Sequence, residues 1–197
     1  MLASAAVGRR ERKKAATREV ISSAALALFL ERGFAAVGIR EVAEHADVAV
    51  ATIFKHFSSK EALVFDEDQD LAHSLVAAVE KSGDQDLLGT LEKWFRVTRT
   101  AEHERDDADD FAAFRQLVRS TPPLQAHWEH TWRRHQLDLA AAIQRSAGVD
   151  AQVARLIATL TIEGYLLAAE DDRPDAVLAL LFATLRRACP SRQPFAE

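Results

Sequence analysis

Within the seven residues Val50–His56 the chain places a hydroxyl, an ammonium and an imidazole, at Thr52, Lys55 and His56. Ile53 lies among them and Phe57 just after, as apolar anchors. Polar side chains on a short segment backed by apolar residues are what reading base edges in a DNA major groove requires, because only the side chains near the start of a short, rigidly presented helix reach the groove floor. Val50 and Ala51 open that segment. Lys60 follows where a longer helix is expected to begin, and there its ammonium and the free N–H groups of a first turn can hold a phosphate. The run Arg9-Arg10-Glu11-Arg12-Lys13-Lys14 is a second source of cations. It reads either as an arm adding phosphate or minor-groove contacts or as a disordered solubilising tail.

Competing chemistries find less support. No Gly-rich phosphate loop, Gly-x-Ser-x-Gly elbow or His-Glu-x-x-His motif is present. The single cysteine, Cys189, excludes a disulfide framework and a multi-thiolate zinc site. Arg186 and Arg187 lie within a turn of it and can lower its pKa, but a buried structural thiol is the plainer reading. His127, His130 and His135 lie along one expected helix, and the first two, at i and i+3, have the spacing to share a metal. Glu129 or His103 would have to be the third ligand, and nothing specifies either, so no metal and no cofactor is expected.

The 197 residues are 48% hydrophobic with seven Gly and five Pro, which excludes a disordered chain and favours helices over a loop-rich β-sandwich. The net charge of −5 disguises two halves. Residues 1–60 hold 10 Lys and Arg against 6 Asp and Glu, and residues 61–197 hold 15 against 24. A basic segment on an acidic body suggests an anionic partner at one end only, although a solvated tail beside an ordinary acidic surface gives the same count. No apolar run reaches the roughly 18 residues of a membrane span. No apolar block follows the N-terminal basic run as a secretory signal would require. A cytoplasmic protein with no membrane partner is expected.

Periodicity then supplies the elements. Val20, Ile21, Ala24, Ala25, Leu28 and Phe29 recur at helical spacing from Glu11 to Arg32, and Gly33 stops the run. Ile39–Ala46 and Val50–His56 are two short helices separated by Asp47-Val48-Ala49, the spacing of a helix-turn-helix. Ser58 and Glu61 form a capping-box pattern expected to open a long helix from Ser59 to about Lys81. Further helices are expected at about 85–104, 108–120, 123–147, 151–171 and 175–189. The fold class is therefore all-α with about nine helices: a three-helix reading domain over residues 1–60 and a larger helical body over residues 61–197.

The segment Thr17-Arg18-Glu19-Val20-Ile21, Ala24-Ala25, Leu28-Phe29, Glu31-Arg32-Gly33-Phe34, Ile39-Arg40-Glu41-Val42-Ala43, Val48 and Thr52 through Leu63 resembles the DNA-binding domain of the TetR family of one-component bacterial regulators. The likeness spans about 50 residues with their spacings kept, while the rest of the chain shares only the helix count. The resemblance implies that Thr17 and Arg40 contact the DNA backbone. Three positions depart from it. Asp47-Val48-Ala49 replaces the usual Gly-Val-Ser and removes a serine cap, which costs about 1 kcal/mol unless replaced. Phe54 replaces a frequent Tyr, and the second helix starts near Gly38 rather than at a Thr.

The resemblance also implies a homodimer, joined by the last two helices in a four-helix bundle. Val153, Leu156, Ile157, Leu160 and Leu167 line one stripe, Val177, Leu180, Leu181 and Leu185 another, and Thr161, Gly164 and Ala168 give a small-residue face. Leu160, Gly164, Leu167, Val177, Leu181 and Leu185 are the expected interface. Trp94, Phe95, Phe111, Phe114, Trp128 and Trp132 suit an apolar effector pocket reached from Leu75 and Val79, with Arg115, His127, His130 or Glu163 as polar anchors. A plain helical core explains any one of them equally well. The stretch from Phe111 to Gly148 is also similar to the ligand domain of mycofactocin-type members, which implies an acyl-CoA-like effector. The resulting expectation is a repressor that binds a palindromic operator and is released by a small apolar effector. The alternative is a helical carrier or enzyme that retains an N-terminal three-helix bundle.

Overall fold

A computed structural model describes residues 8–66, 68–83, 86–104 and 108–188. Among these residues the chain is helical and contains no strand. Helix α1 is Arg9–Arg32, α2 Ile39–His45, α3 Val50–His56, α4 Asp68–Ser82 and α5 Leu87–Glu104. Then follow α6 Ala108–Ser120, α7 Pro122–Arg134, α8 Gln136–Ala147, α9 Ala151–Glu170 and α10 Pro174–Ala188. No described helix is long and apolar enough to cross a membrane.

The residues fall into two compact units. The first comprises residues 8–66 and 112–127. Its core is the apolar face of α1, with Ile21, Ala25 and Phe29, closed by Phe34, Val42, Ile53, Phe57 and Leu63. The Phe29 and Phe34 rings meet at 5.1 Å. Helix α1 ends because Gly33 adopts φ 85, a left-handed value open to glycine, while its N–H still donates to the Phe29 carbonyl at 2.9 Å.

Five expectations are corrected here. The basic run Arg9–Lys14 is not a tail: α1 is helical from Arg9. The helix expected from Ser59 to Lys81 is interrupted, with a 3-10 turn at Glu61–Leu63 and α4 starting only at Asp68. Tertiary contacts override the helical pattern there. Phe65 is buried against Phe114, edge-on at 6.3 Å, and His127, stacked at 5.7 Å, while the Asp66 carboxylate is held by Arg18. The capping serine is Ser59, whose Oγ accepts the Ala62 N–H at 3.2 Å, rather than Ser58. The stretch 123–147 is divided at His135, where a turn separates α7 from α8. The body also does not begin cleanly after Lys60, since residues 112–127 group with the reading helices.

The second unit comprises residues 68–111 and 128–188, with α8 packed against α4 and α9, and α10 packed against α9 and α5. Leu75, Val79, Leu91, Phe95, Trp132, Leu139, Ile143, Ile162 and Phe182 fill its centre. Gly148, at φ 60, ends α8, and the Asp150 side chain caps α9 by accepting the Gln152 N–H at 2.7 Å. Helices α9 and α10 meet at Gly164, where an added Cβ would stand 2.5 Å from a Leu181 methyl. No side chain other than hydrogen fits there without moving its neighbour.

Candidate DNA-binding interface

The turn between α2 and α3 sets the angle at which α3 is presented. Its backbone is satisfied: the Ala46 N–H donates to the Val42 carbonyl and the Val48 N–H to the Ala43 carbonyl, both at 2.9 Å. Asp47 lies between them at φ 51, the left-handed region that Asp tolerates better than most residues. Helix α3 then starts at Val50 with Ala49 in the N-cap position and no side-chain cap, so the lost serine is not replaced. At α2 the loss is partly made good. Gly38 has no side chain, but its N–H donates to the Glu41 carboxylate at 2.7 Å, and Arg32 donates to the same carboxylate at 2.8 Å. These bonds, the Gly38 one first, hold the Glu41 carboxyl below its ordinary pKa.

Once α3 is formed its residues sort by face. Ile53 and Phe57 are buried. Ala51, Phe54 and Lys55, at i, i+3 and i+4, are exposed, with Val50 half-buried at their edge. Thr52 and His56 occupy the half-buried flank. Phe54, 58% exposed, is an aromatic ring with no core to enter. It was not among the expected contacts, although its place one residue after a buried Ile was the available signal. Arg40 on α2 is exposed, and so are Arg9, Arg10, Arg12, Lys13 and Lys14 on the first turns of α1. Lys14 lies close enough to His56 to depress its basicity, so the basic start of α1 stands beside α3.

Other expected contacts are engaged inside the unit. The Thr17 hydroxyl donates to the Lys13 carbonyl at 2.9 Å. Lys60 lies in a bend before the 3-10 turn, and its ammonium donates to the Phe34 carbonyl over the Phe34 and Phe29 rings, at 4.2 and 5.4 Å from their centroids. Burial lowers the Lys60 pKa, opposed by Glu61 and Glu41. The His56 pKa is also lowered, by burial first and then by Arg18, Lys55 and Lys14, with Asp66 opposing. Its Nδ1 is buried without a hydrogen-bond partner. Arg18 carries a role the sequence did not suggest. It donates to the His56 carbonyl at 2.8 Å and to the Asp66 carboxylate, with its guanidinium 4.7 Å from the Phe57 ring centroid. One side chain thus ties α1 to the end of α3 and to the residues ahead of α4.

The residues expected around an effector divide between the units. Leu75, Val79, Trp94, Trp128 and Trp132 are in the second, where Trp132 packs against Tyr165 at 4.4 Å and Trp94 at 6.4 Å, and Trp128 meets Tyr165 at 5.9 Å. Leu75, Val79 and Trp132 are fully buried, and the Trp132 indole N–H has no acceptor. The Trp94 indole N–H donates to Ser74 Oγ at 3.0 Å. Phe114 and Arg115 fall in the first unit, and Glu163 is bound by Arg133 at 2.9 Å. The side chains of Phe111 and His103, and all of Cys189, lie outside the described residues. Among the described residues no three His, Cys, Asp or Glu side chains cluster to hold a metal. Of the expected interface, Leu160 and Leu167 are exposed, Val177 and Leu181 half-buried, and Gly164 and Leu185 buried within the chain's own fold.

Known proteins share this fold and, for the reading helices, this sequence pattern. The family model "Bacterial regulatory proteins, tetR family" matches residues 21–66, from the core of α1 to the Arg18-bound Asp66. The HTH-type transcriptional regulator TcmR of Streptomyces glaucescens is 30% identical over 184 residues, covering 91% of this chain and 74% of that protein. The crystal structure of a TetR-family regulator from Streptomyces coelicolor superimposes with a TM-score of 0.57 at 25% identity, over 92% of this chain and 98% of that one. GusR of Salmonella enterica shares the fold, with a TM-score of 0.56 at 20% identity over 88% of this chain and 96% of that one. Members of this family are transcriptional regulators rather than enzymes. The chain belongs to the TetR family and is a DNA-binding transcriptional regulator.

Proposed function

We propose that the chain is a ligand-responsive repressor which binds a palindromic operator as a homodimer and leaves it when a small, largely apolar effector enters its helical body. The observation that carries this reading is the sorting of α3, with Ile53 and Phe57 buried while Ala51, Phe54 and Lys55 face outward. In this reading Val50, Ala51, Thr52, Phe54 and Lys55 meet base edges and the sugar wall. Arg40 and the cations of the first turns of α1 meet phosphates. Thr17 and His56 flank that surface, and Lys60 positions the unit by holding the Phe34 carbonyl. The effector lies beside Trp94, Trp128 and Trp132 against α4, where the unpaired Trp132 N–H offers a donor to a carbonyl or ester oxygen. The acyl chain of a CoA ester, with its thioester carbonyl, would supply such an acceptor on an apolar body. Exposed leucines of α9 and α10 join two copies.

The test is fluorescence anisotropy with the DNA upstream of the chain's own gene. Lys55→Ala and Phe54→Ala should change which bases are preferred. Arg10→Ala should weaken binding equally on all sequences and reduce the slope of log K against log salt by about 1. Affinity that ignores salt and all three substitutions would overturn the reading.

A further inference from the structure

The face between α5 and α10 carries a groove of about 450 Å³ that the regulatory reading leaves unused. Such a volume lies at the lower end of the range for small-molecule sites, roughly 300–1,000 Å³. Its floor is Phe95, Leu178 and Phe182, all buried, and Ala179 carries it out to the surface.

The rim charges are not equivalent. The Glu92 carboxylate is taken by Arg186. Arg99, whose side chain is only 16% exposed, donates through Nε to Asp175 at 2.7 Å. Arg96 is exposed, lines the same groove and has no hydrogen-bond or ion-pair partner for its guanidinium among the described residues. One uncompensated cation therefore stands over an apolar floor. A guanidinium offers a planar pair of donors that matches a carboxylate, and the floor offers only dispersion and exclusion of water.

We propose that this groove binds a small amphipathic anion, a carboxylate on an unbranched alkyl tail, with the carboxylate on Arg96 and the tail along Phe95, Leu178 and Phe182. The groove lining holds none of Trp94, Trp128 and Trp132, the residues proposed for the effector, and meets that cluster at Phe95, whose ring lies 5.0 Å from Trp94 and 5.9 Å from Phe182. It is therefore a second site. Asp175 belongs to the first turn of α10 and is anchored on Arg99, so an anion on Arg96 would share this rim with the ion pair that holds the start of α10.

Isothermal titration of the full chain with hexanoate, octanoate and decanoate, and with decanol as the uncharged control, tests the proposal. One saturable site per chain is expected, with affinity rising about fourfold per added methylene, since each buries the apolar area of one CH₂. Decanol should bind at least tenfold more weakly than decanoate. Arg96→Gln should weaken decanoate about tenfold and leave decanol unchanged. Ala179→Trp, which plugs the groove from a surface position, should abolish binding of both, while Trp128→Ala in the aromatic cluster should leave both intact. Circular-dichroism melting of Arg96→Gln and Ala179→Trp checks that their folds are kept. Absence of saturable decanoate binding overturns the proposal, as does binding that survives both groove substitutions or is lost in Trp128→Ala. DNA binding measured on the same variants separates a failure here from a failure of the repressor reading.

Discussion

Arg18, Arg32 and Lys60 direct their charge into the reading unit, onto the His56 carbonyl and Asp66, onto Glu41, and onto the Phe34 carbonyl. That leaves Lys55, Arg40 and the start of α1 as outward cations on the surface formed by α1, α2 and α3. The distinction is invisible in a sequence, because a lysine aimed at a phosphate and one turned onto a carbonyl are the same letter at the same spacing. His56 shows the consequence for stability. Burial and the cations Arg18, Lys55 and Lys14 hold its imidazole below the ordinary pKa of 6.5. The unfolded chain takes up a proton near 6.5, whereas the folded one does so only at lower pH. The folded state is unpenalised above 6.5, and stability is lost as pH falls from 6.5 toward the lowered value. Thermal melts at pH 7.5 and 5.5 should show a smaller drop in His56→Gln than in the unmodified protein. His135, also depressed by burial and then by His73, is common to both proteins and cancels. Equal drops would mean that His56 is not the group responsible.

Helix α3 is the least supported element of the reading unit, being seven residues long and uncapped at Ala49. Ala49 nonetheless has φ −71 and ψ 145, the extended conformation a capping residue adopts, and the Thr52 N–H already turns back to its carbonyl at 2.8 Å. Ala49→Ser should place a hydroxyl oxygen in reach of that N–H and stabilise the fold by about 1 kcal/mol, a rise in Tm of roughly 2–4 °C for a chain of this size. An unchanged or lowered Tm would show that the turn at Asp47 does not leave room for the cap. The missing cap was legible because it depends only on the residue at one position. Most helix ends were legible for the same reason: Gly33, Gly83, Gly148 and Pro174 mark them locally. The breaks at Val64–Asp66 and at His135 were not, because neither contains a Gly or Pro. Phe65 and Asp66 are pulled from helical register by Phe114, His127 and Arg18, and His135 packs edge-on to His73 at 5.1 Å. Such contacts join residues dozens of positions apart, and no local pattern announces them. The candidate surface of α3 was readable in outline from Ile53 and Phe57, whereas the clamp through Arg18 became visible only with the fold.

On the scale of the whole molecule, the second unit leaves Leu156, Leu160, Leu167 and Leu180 at 60, 38, 59 and 68% exposure. Large apolar side chains left exposed on two packed helices are of the kind that marks an association surface. Leu156, Leu160 and Leu167 repeat at i, i+4 and i+11 along one face of α9. Glu163 lies between them and is held by Arg133, which also binds Glu129 at 2.7 Å. Leu181 differs: it packs on Gly164 within the same chain, so Leu181→Arg should fail by unfolding rather than by dissociation. Leu160→Arg combined with Leu167→Arg changes only exposed positions and should leave the melt of the isolated chain unchanged. In the paired state, however, two guanidinium groups per chain would have to lose water against leucine, which an apolar seam does not repay. Sedimentation should then show a dimer for the unmodified protein and a monomer for the variant. The variant should also bind a full palindrome no more tightly than a single half-site, because joining two reading units is what converts the second contact into an intramolecular one, a gain of roughly 10²–10⁴ in affinity. A variant that stays dimeric would move the association surface off α9. A monomer that keeps full affinity for the palindrome would separate DNA binding from dimerisation altogether.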